Sequence, residues 1–187
     1  MKRLTITQWC QKRIREMVES PEFCIDATAG TGRDTVFLCS LLRHGGRVLA
    51  MDVQEQALEQ TRERLKKVSC EEQVQLVLDG HQHMDRYCDE ESADLIMFNL
   101  GYLPGGDHNM ATTADTTLEA LDKSLRILKE GGLVSLMIYS GGDTGFEEKN
   151  AVMAWLKELD SHRYTVLVED FYNKPNHPPL PVFIWKR

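Results

Sequence analysis

Phe23-Cys24-Ile25-Asp26-Ala27-Thr28-Ala29-Gly30-Thr31-Gly32-Arg33-Asp34-Thr35 is the stretch whose reading decides the fold. An apolar run breaks into a glycine-rich turn and reopens as a helix, which is the sequence form of a strand, a ligand loop and a helix. Gly30 and Gly32 supply the backbone freedom of a tight turn and put no side chain in the way of a ligand lying across it. The helix that follows is expected to aim its free N–H groups at that ligand. A dinucleotide fingerprint asks for a third glycine three positions after the second, and Thr35 stands there, which weakens a nicotinamide reading. The alternative is a glycine turn that only reverses the chain.

Working outward, apolar runs of strand length alternate with segments of helical period. A helix over residues 5–19 carries Ile6, Trp9, Cys10, Ile14, Met17 and Val18 near helical spacing, and Ser20-Pro21 ends it. Strands are then expected at 23–27, 47–52, 74–78, 93–99, 133–139, 164–171 and 181–186. Helices are expected at 33–43, 54–67, about 80–87, about 114–129 and 146–160. Five βα units followed by two strands predict an α/β fold: a Rossmann-like, seven-stranded, mostly parallel sheet with helices on both faces. The last connection, Asn173-Lys174-Pro175-Asn176-His177-Pro178-Pro179, has no room for a crossover helix, so the last strand should return antiparallel. At 187 residues and 42% hydrophobic, the chain reads as a single domain over 1–187, with 1–20 as its N-terminal helix.

The composition narrows the function classes. No apolar run approaches the about 18 residues of a membrane span, and the first residues lack a leader pattern, so no membrane partner and a cytoplasmic location are expected. Five cysteines are spread singly without a Cys-x-x-Cys pair, as in a reducing compartment, and no metal site is expected. A formal charge of −7 argues against gripping nucleic acid over a broad face. A local basic patch of Lys2, Arg3, Lys12, Arg13 and Arg15 is either an RNA contact or a solvated helix face.

Three acids close three successive strand runs: Asp26, Asp52 and Asp79. Strand C-terminal ends form the ligand crevice of such a sheet, where an acid accepts hydrogen bonds from ribose hydroxyls. Asp52 can alternatively cap the helix starting near Gln54. Asp79, followed by Gly80-His81, repeats the position. The fourth run delivers Asn99-Leu100-Gly101-Tyr102-Leu103-Pro104-Gly105-Gly106-Asp107, in which an amide oxygen can hold an amine and a ring can stack on a planar base. Here the alternative is a Gly/Pro loop with Tyr102 as packing. His81 and His83 lack the carboxylate–cysteine company of a metal site. Trp9, Trp155 and Trp185 read as packing, with Trp9 placed to lie over the cofactor mouth.

The Asp-x-x-x-Gly-x-Gly spacing resembles the first motif of class I S-adenosylmethionine (SAM) methyltransferases, and Asn99 to Tyr102 resembles the Asn-Pro-Pro-Tyr loop of amino-methylating enzymes. Together with Asn173-Lys-Pro-Asn176-His177-Pro-Pro, they make essentially the whole chain similar to the YtqB-like family labelled rRNA methylase. That resemblance implies SAM as cofactor and a tRNA methyltransferase that converts 5-aminomethyl-2-thiouridine at the wobble position to its 5-methylaminomethyl form. It also implies tRNA, at its anticodon region, as partner, and keeps a homodimer open. By the same resemblance, Asp26, Ala27, Thr28, Gly30, Gly32, Asp34, Thr35, Asp52, Gln54, Asp79, Gly80, His81 and Asn99 would hold the cofactor. Asn99, Tyr102 and Asp107 would carry the reaction, and Tyr102, Asp107, Asn173, Asn176 and His177 would meet the substrate. Asp107 would draw the amine in and pass its proton to water, with His177 as second candidate. The family pattern carries a histidine where this chain has Gly142. Rival readings are an rRNA or small-molecule amine as substrate, a non-catalytic SAM-binding module and a Rossmann oxidoreductase.

Overall fold

Backbone pairing gives the apolar runs their order. In a computed structural model, which describes residues 4–100, 113–139, 145–176 and 178–187, the strands are β1 (Phe23–Asp26), β2 (Arg47–Asp52), β3 (Val74–Leu78), β4 (Ala93–Leu100), β5 (Leu128–Ile138), β6 (Tyr164–Val168) and β7 (Leu180–Lys186). They form one sheet in the order β3-β2-β1-β4-β5-β7-β6. β7 runs antiparallel to both β5 and β6, while β1 to β5 pair in parallel. The seven-stranded, mostly parallel sheet and the reversed last strand are thus as expected. The strand order turns back between β1 and β4, and ligands of doubly wound sheets bind at such a switch point.

Among the described residues the helices are α1 (Ile6–Met17), α2 (Arg33–Cys39), α3 (Glu55–Val68), α4 (Ala114–Ile127) and α5 (Gly145–Glu158). They cover the sheet in two layers. Cys10 and Ile14 of α1 and Phe37 and Leu38 of α2 pack with Cys24, Val48, Leu95, Met97 and Phe183. On the other face Leu121 and Leu125 of α4 and Val152 and Leu156 of α5 pack with Ile25, Met51, Ile96, Phe98 and Ile184. Alternate strand residues point to opposite faces, so both faces of each central strand are apolar. A Thr5–Gln8 capping box sets the start of α1, satisfying donors that a helix start leaves open.

Four elements differ from expectation. β6 ends at Val168 rather than 171, where the Glu169 side chain is drawn to Trp9 and Arg13 of α1. α2 ends at Cys39 rather than 43, where the Ser40 hydroxyl donates to the Phe37 carbonyl at 2.6 Å and breaks the ladder. The segment at 80–87 is a 3-10 turn, His81–Arg86. There the Asp79 carboxylate gathers Gly80 N, the His83 ring and the Tyr87 hydroxyl, a local alternative to helical bonding. β5 starts at Leu128 instead of 133, with Gly131 at φ 76° beside a register shift between Ala93 and Leu95.

Candidate active site

The glycine turn is tied down before any ligand arrives. Asp26, at the end of β1, has no exposed surface. Its carboxylate accepts the Thr28 N–H at 3.3 Å and the Thr35 hydroxyl at 2.6 Å. Burial, then the nearby Asp34 carboxylate, push its carboxyl up to about 7. Thr35 is equally buried and Ala27 is 2% exposed. The structure therefore places Asp26, Ala27 and Thr35 beneath the loop, where their side chains support it from within. Gly30 and Gly32 take φ of 52° and 74°, which residues with a Cβ adopt only with strain. A Cβ on Gly32 would also lie 2.8 Å from the Thr61 Cα, so this glycine lets α3 close on the loop. From α3, the Thr61 hydroxyl and Arg64 Nε hold the carbonyls of Gly30 and Thr31 at 3.1 and 2.6 Å.

Asp52 closes β2 and serves two backbone groups. It accepts Gly30 N–H at 2.8 Å and Gln54 N–H at 2.9 Å; the N-cap of α3 is Gln54, so Asp52 does not cap that helix as the alternative reading expected but ties the glycine turn to the chain entering it. Its carboxylate has acceptor capacity left for hydroxyls. Asp79 is more fully engaged: beyond Gly80, His83 and Tyr87, Arg86 stands 3.5 Å away. These donors hold the carboxyl below its usual range, the His83 bond contributing most. His81 is buried rather than on the surface, edge-on to Phe98 at 5.9 Å, with no partner on Nε2. Burial lowers its pKa to about 4, keeping the ring neutral. Val53 and Leu78 stay about half exposed beside these acids, and Leu78 pairs with Asp52 across the sheet. Exposed apolar side chains beside an acid of this kind suit a planar ring. The sequence reading missed them because an exposed valine or leucine has no polar signature.

Asn99, on β4, faces the same crevice. Its backbone N–H donates to the Thr28 hydroxyl at 2.7 Å, and its Nδ2 donates to Asp34 Oδ2 at 2.9 Å. The other Asp34 oxygen accepts Gln11 Nε2 at 2.7 Å. A carboxylate can only accept, so it fixes the amide with its NH2 toward Asp34 and its carbonyl oxygen on the opposite side. Behind this group lies a small pocket whose lining includes Thr7, Cys10 and Gln11 of α1, Asp34, Met97, Asn99 and Ser135. Cys10 Sγ and Ser135 Oγ touch at 3.5 Å, and burial pushes the thiol up to about 11. Thr7 and Gln11 stand four apart on one helix face, a spacing that could have flagged them.

The remaining expected residues divide. Tyr102 and Asp107, Gly142, His177, and Lys2 with Arg3 lie outside the described residues. Asn173 and Asn176 are exposed on the β6–β7 connection, Asn176 at φ 65°. Gly80 is buried behind Gln82.

Residues 48–185 match the family described as "Putative rRNA methylase". A tRNA (mnm5s2U34)-methyltransferase of the Arabidopsis thaliana chloroplast is 38% identical over 184 residues; the match covers 92% of this chain and 66% of that relative's length. Among solved structures, one described as a "putative rRNA-methylase", from Clostridium thermocellum, is 41% identical with a TM-score of 0.94 and full coverage of both chains. A "putative methyltransferase" from Streptococcus mutans, in complex with SAH, is 39% identical with a TM-score of 0.88 over the full length of both. Sheet order, glycine turn and these matches agree: the chain belongs to the rRNA-methylase-labelled family of class I SAM-dependent methyltransferases.

Proposed function

We propose that this chain methylates the exocyclic amine of 5-aminomethyl-2-thiouridine at the wobble position of tRNA, using SAM held across the glycine turn. The observation that carries the amine reading is the Asn99 amide, whose NH2 is held by Asp34 so that its oxygen lies on the opposite side, as the end left to accept a substrate N–H. The tRNA substrate is supported by the Arabidopsis relative, a tRNA (mnm5s2U34)-methyltransferase. The site suits the cofactor: a side-chain-free turn, the Asp52 carboxylate for ribose hydroxyls, the Val53 and Leu78 pair for a flat base, and carboxylates near a sulfonium.

SAM supplies an electrophilic methyl group on a cationic sulfur. This chain's residues supply alignment. The Asn99 oxygen accepts an N–H of the substrate amine and directs the nitrogen lone pair along the line of displacement. Alignment of this kind contributes several kcal/mol. The amine must be neutral to attack, so a proton leaves first; the Asp34 carboxylate, bonded to Asn99, favours entry of the ammonium form and Asp107 remains our candidate for drawing off the proton. Gln11 and Thr7 bring α1 to the lining of the pocket beside Asn99.

Methyl-label transfer from SAM tests this reading with three acceptors: tRNA carrying the aminomethyl base, rRNA and a simple alkylamine. Label in the tRNA alone is expected. The acidic charge of −7 favours a second reading, a small amine as substrate, and label in the alkylamine alone would establish it.

A further inference from the structure

We infer that α1 and the β6–β7 connection form a stacking platform for unpaired RNA nucleotides, with Tyr172 as its open ring; this rests on the tRNA reading above. Tyr172 is 95% exposed, whereas the other exposed large apolar side chains range from 36% to 55%. Its segment is nevertheless anchored. Glu169 accepts Trp9 Nε1 at 2.5 Å and Arg13 Nε at 3.0 Å. Phe171 meets the Trp9 ring edge-on at 6.4 Å, and Lys174 N–H donates to the Phe171 carbonyl at 2.8 Å. A wide-open ring on a pinned segment is a preorganised surface, because little ordering remains for a partner to impose.

The charge around the ring selects the partner. Lys174 Nζ stands 4.8 Å over Phe171 and Lys12 Nζ 5.9 Å over Trp9. Arg13 is shared between Glu169 and Glu16, each at 3.0 Å, and Lys12 adds an exposed 3.7 Å contact with Glu16 to its place over Trp9. Asp170 is the exposed acid beside the ring. Aromatic faces interleaved with ammonium groups are how proteins hold single-stranded nucleic acid: bases stack and phosphates pair. In a chain of −7, Lys12, Arg13 and Arg15 of α1 with Lys174 stand against Glu16, Glu169 and Asp170, a near-balanced patch that fits a polyanion only over a small footprint, with stacking carrying the contact. The placement also fits, since Thr7, Cys10 and Gln11 of the same helix line the pocket beside Asn99. Nucleotides flanking the target would stack on the platform while the modified base reaches into the crevice.

Fluorescence anisotropy with a labelled anticodon stem-loop tests the platform. Tyr172→Ala is expected to weaken RNA binding about tenfold, the effect of losing one stacked base. Tyr172→Phe should bind like the parent, and Lys174→Glu should weaken binding and flatten its salt dependence. SAH affinity and melting temperature should stay unchanged in all three. If the parent binds and methylates tRNA while Tyr172→Ala and Lys174→Glu bind within twofold of it, the platform is overturned and the functional reading stands. If the parent binds no tRNA, the functional reading fails first and the platform with it. Light scattering that shows Tyr172→Ala converting a dimer to a monomer would make this face a contact between copies and overturn the proposal as well.

Discussion

Asp26 joins the loop to the core through a buried carboxyl, which makes its protonation part of the fold. The group titrates near 7 in the folded chain against 3.8 when unperturbed, so the folded state holds the proton more tightly. Its stabilising contribution is then fully present below about pH 4 and is lost as pH rises through about 7. Asp26→Asn keeps an acceptor and removes the titration. Thermal melts should show the variant gaining about 2–3 kcal/mol on the parent between about pH 5 and about pH 8; an equal difference at both would remove Asp26 as the titrating group. Asn99 and Asp34 make a pair of a different kind, since one orients the other. Asn99→Ala should lower the methylation rate by roughly 100-fold while SAM affinity by calorimetry barely changes. Asp34→Asn should lower the rate too, because an amide partner no longer dictates which way Asn99 turns, and the double variant should cost little more than either single one. Additive losses would separate the two residues. Asp52→Ala should weaken SAM by about 1.5–3 kcal/mol and loosen the turn, since Gly30 N–H loses its acceptor.

At the level of elements, α1 connects the site to the far edge of the sheet. Its inner face lines the acceptor pocket, and Trp9 and Arg13 both end on Glu169. Glu169→Ala removes both anchors, while Glu169→Gln keeps an acceptor for Trp9. Hydrogen exchange over residues 6–17 should quicken markedly in the alanine variant and slightly in the glutamine one, with about 1–2 kcal/mol of stability lost in the former. Equal exchange in both variants and the parent would show that α1 is held by Cys10 and Ile14 alone. The same elements explain what was legible in the sequence. Apolar runs broken by Asp26, Asp52 and Asn99 marked strand ends, because a parallel sheet buries both faces and admits a polar residue only where the crevice opens. The reversed last strand followed from a connection too short and proline-rich for a helix. The 3-10 turn after β3 was not legible, since helical spacing there competed with a carboxylate at Asp79 that captures four donors only once the chain is folded. Burial of Asp26 and Thr35 was hidden for the same reason: a loop acid and a loop strut have one sequence and two environments.

For the molecule as a whole, the sheet order puts the turn, Asp52 and Asn99 at neighbouring strand ends, so the residues we assign to cofactor and to acceptor share one crevice. On the tRNA reading proposed above, the chain's acidity predicts a small, local RNA contact whose salt dependence comes only from the few cations near α1. The most direct measurement is nucleoside mass spectrometry of tRNA bearing 5-aminomethyl-2-thiouridine, after incubation with the purified protein and SAM, with Asn99→Ala in parallel. The account predicts one added methyl group on the wobble nucleoside, at its exocyclic nitrogen, and almost none with the variant. An unmodified wobble nucleoside, with the methyl group found on another base or on rRNA, would contradict it.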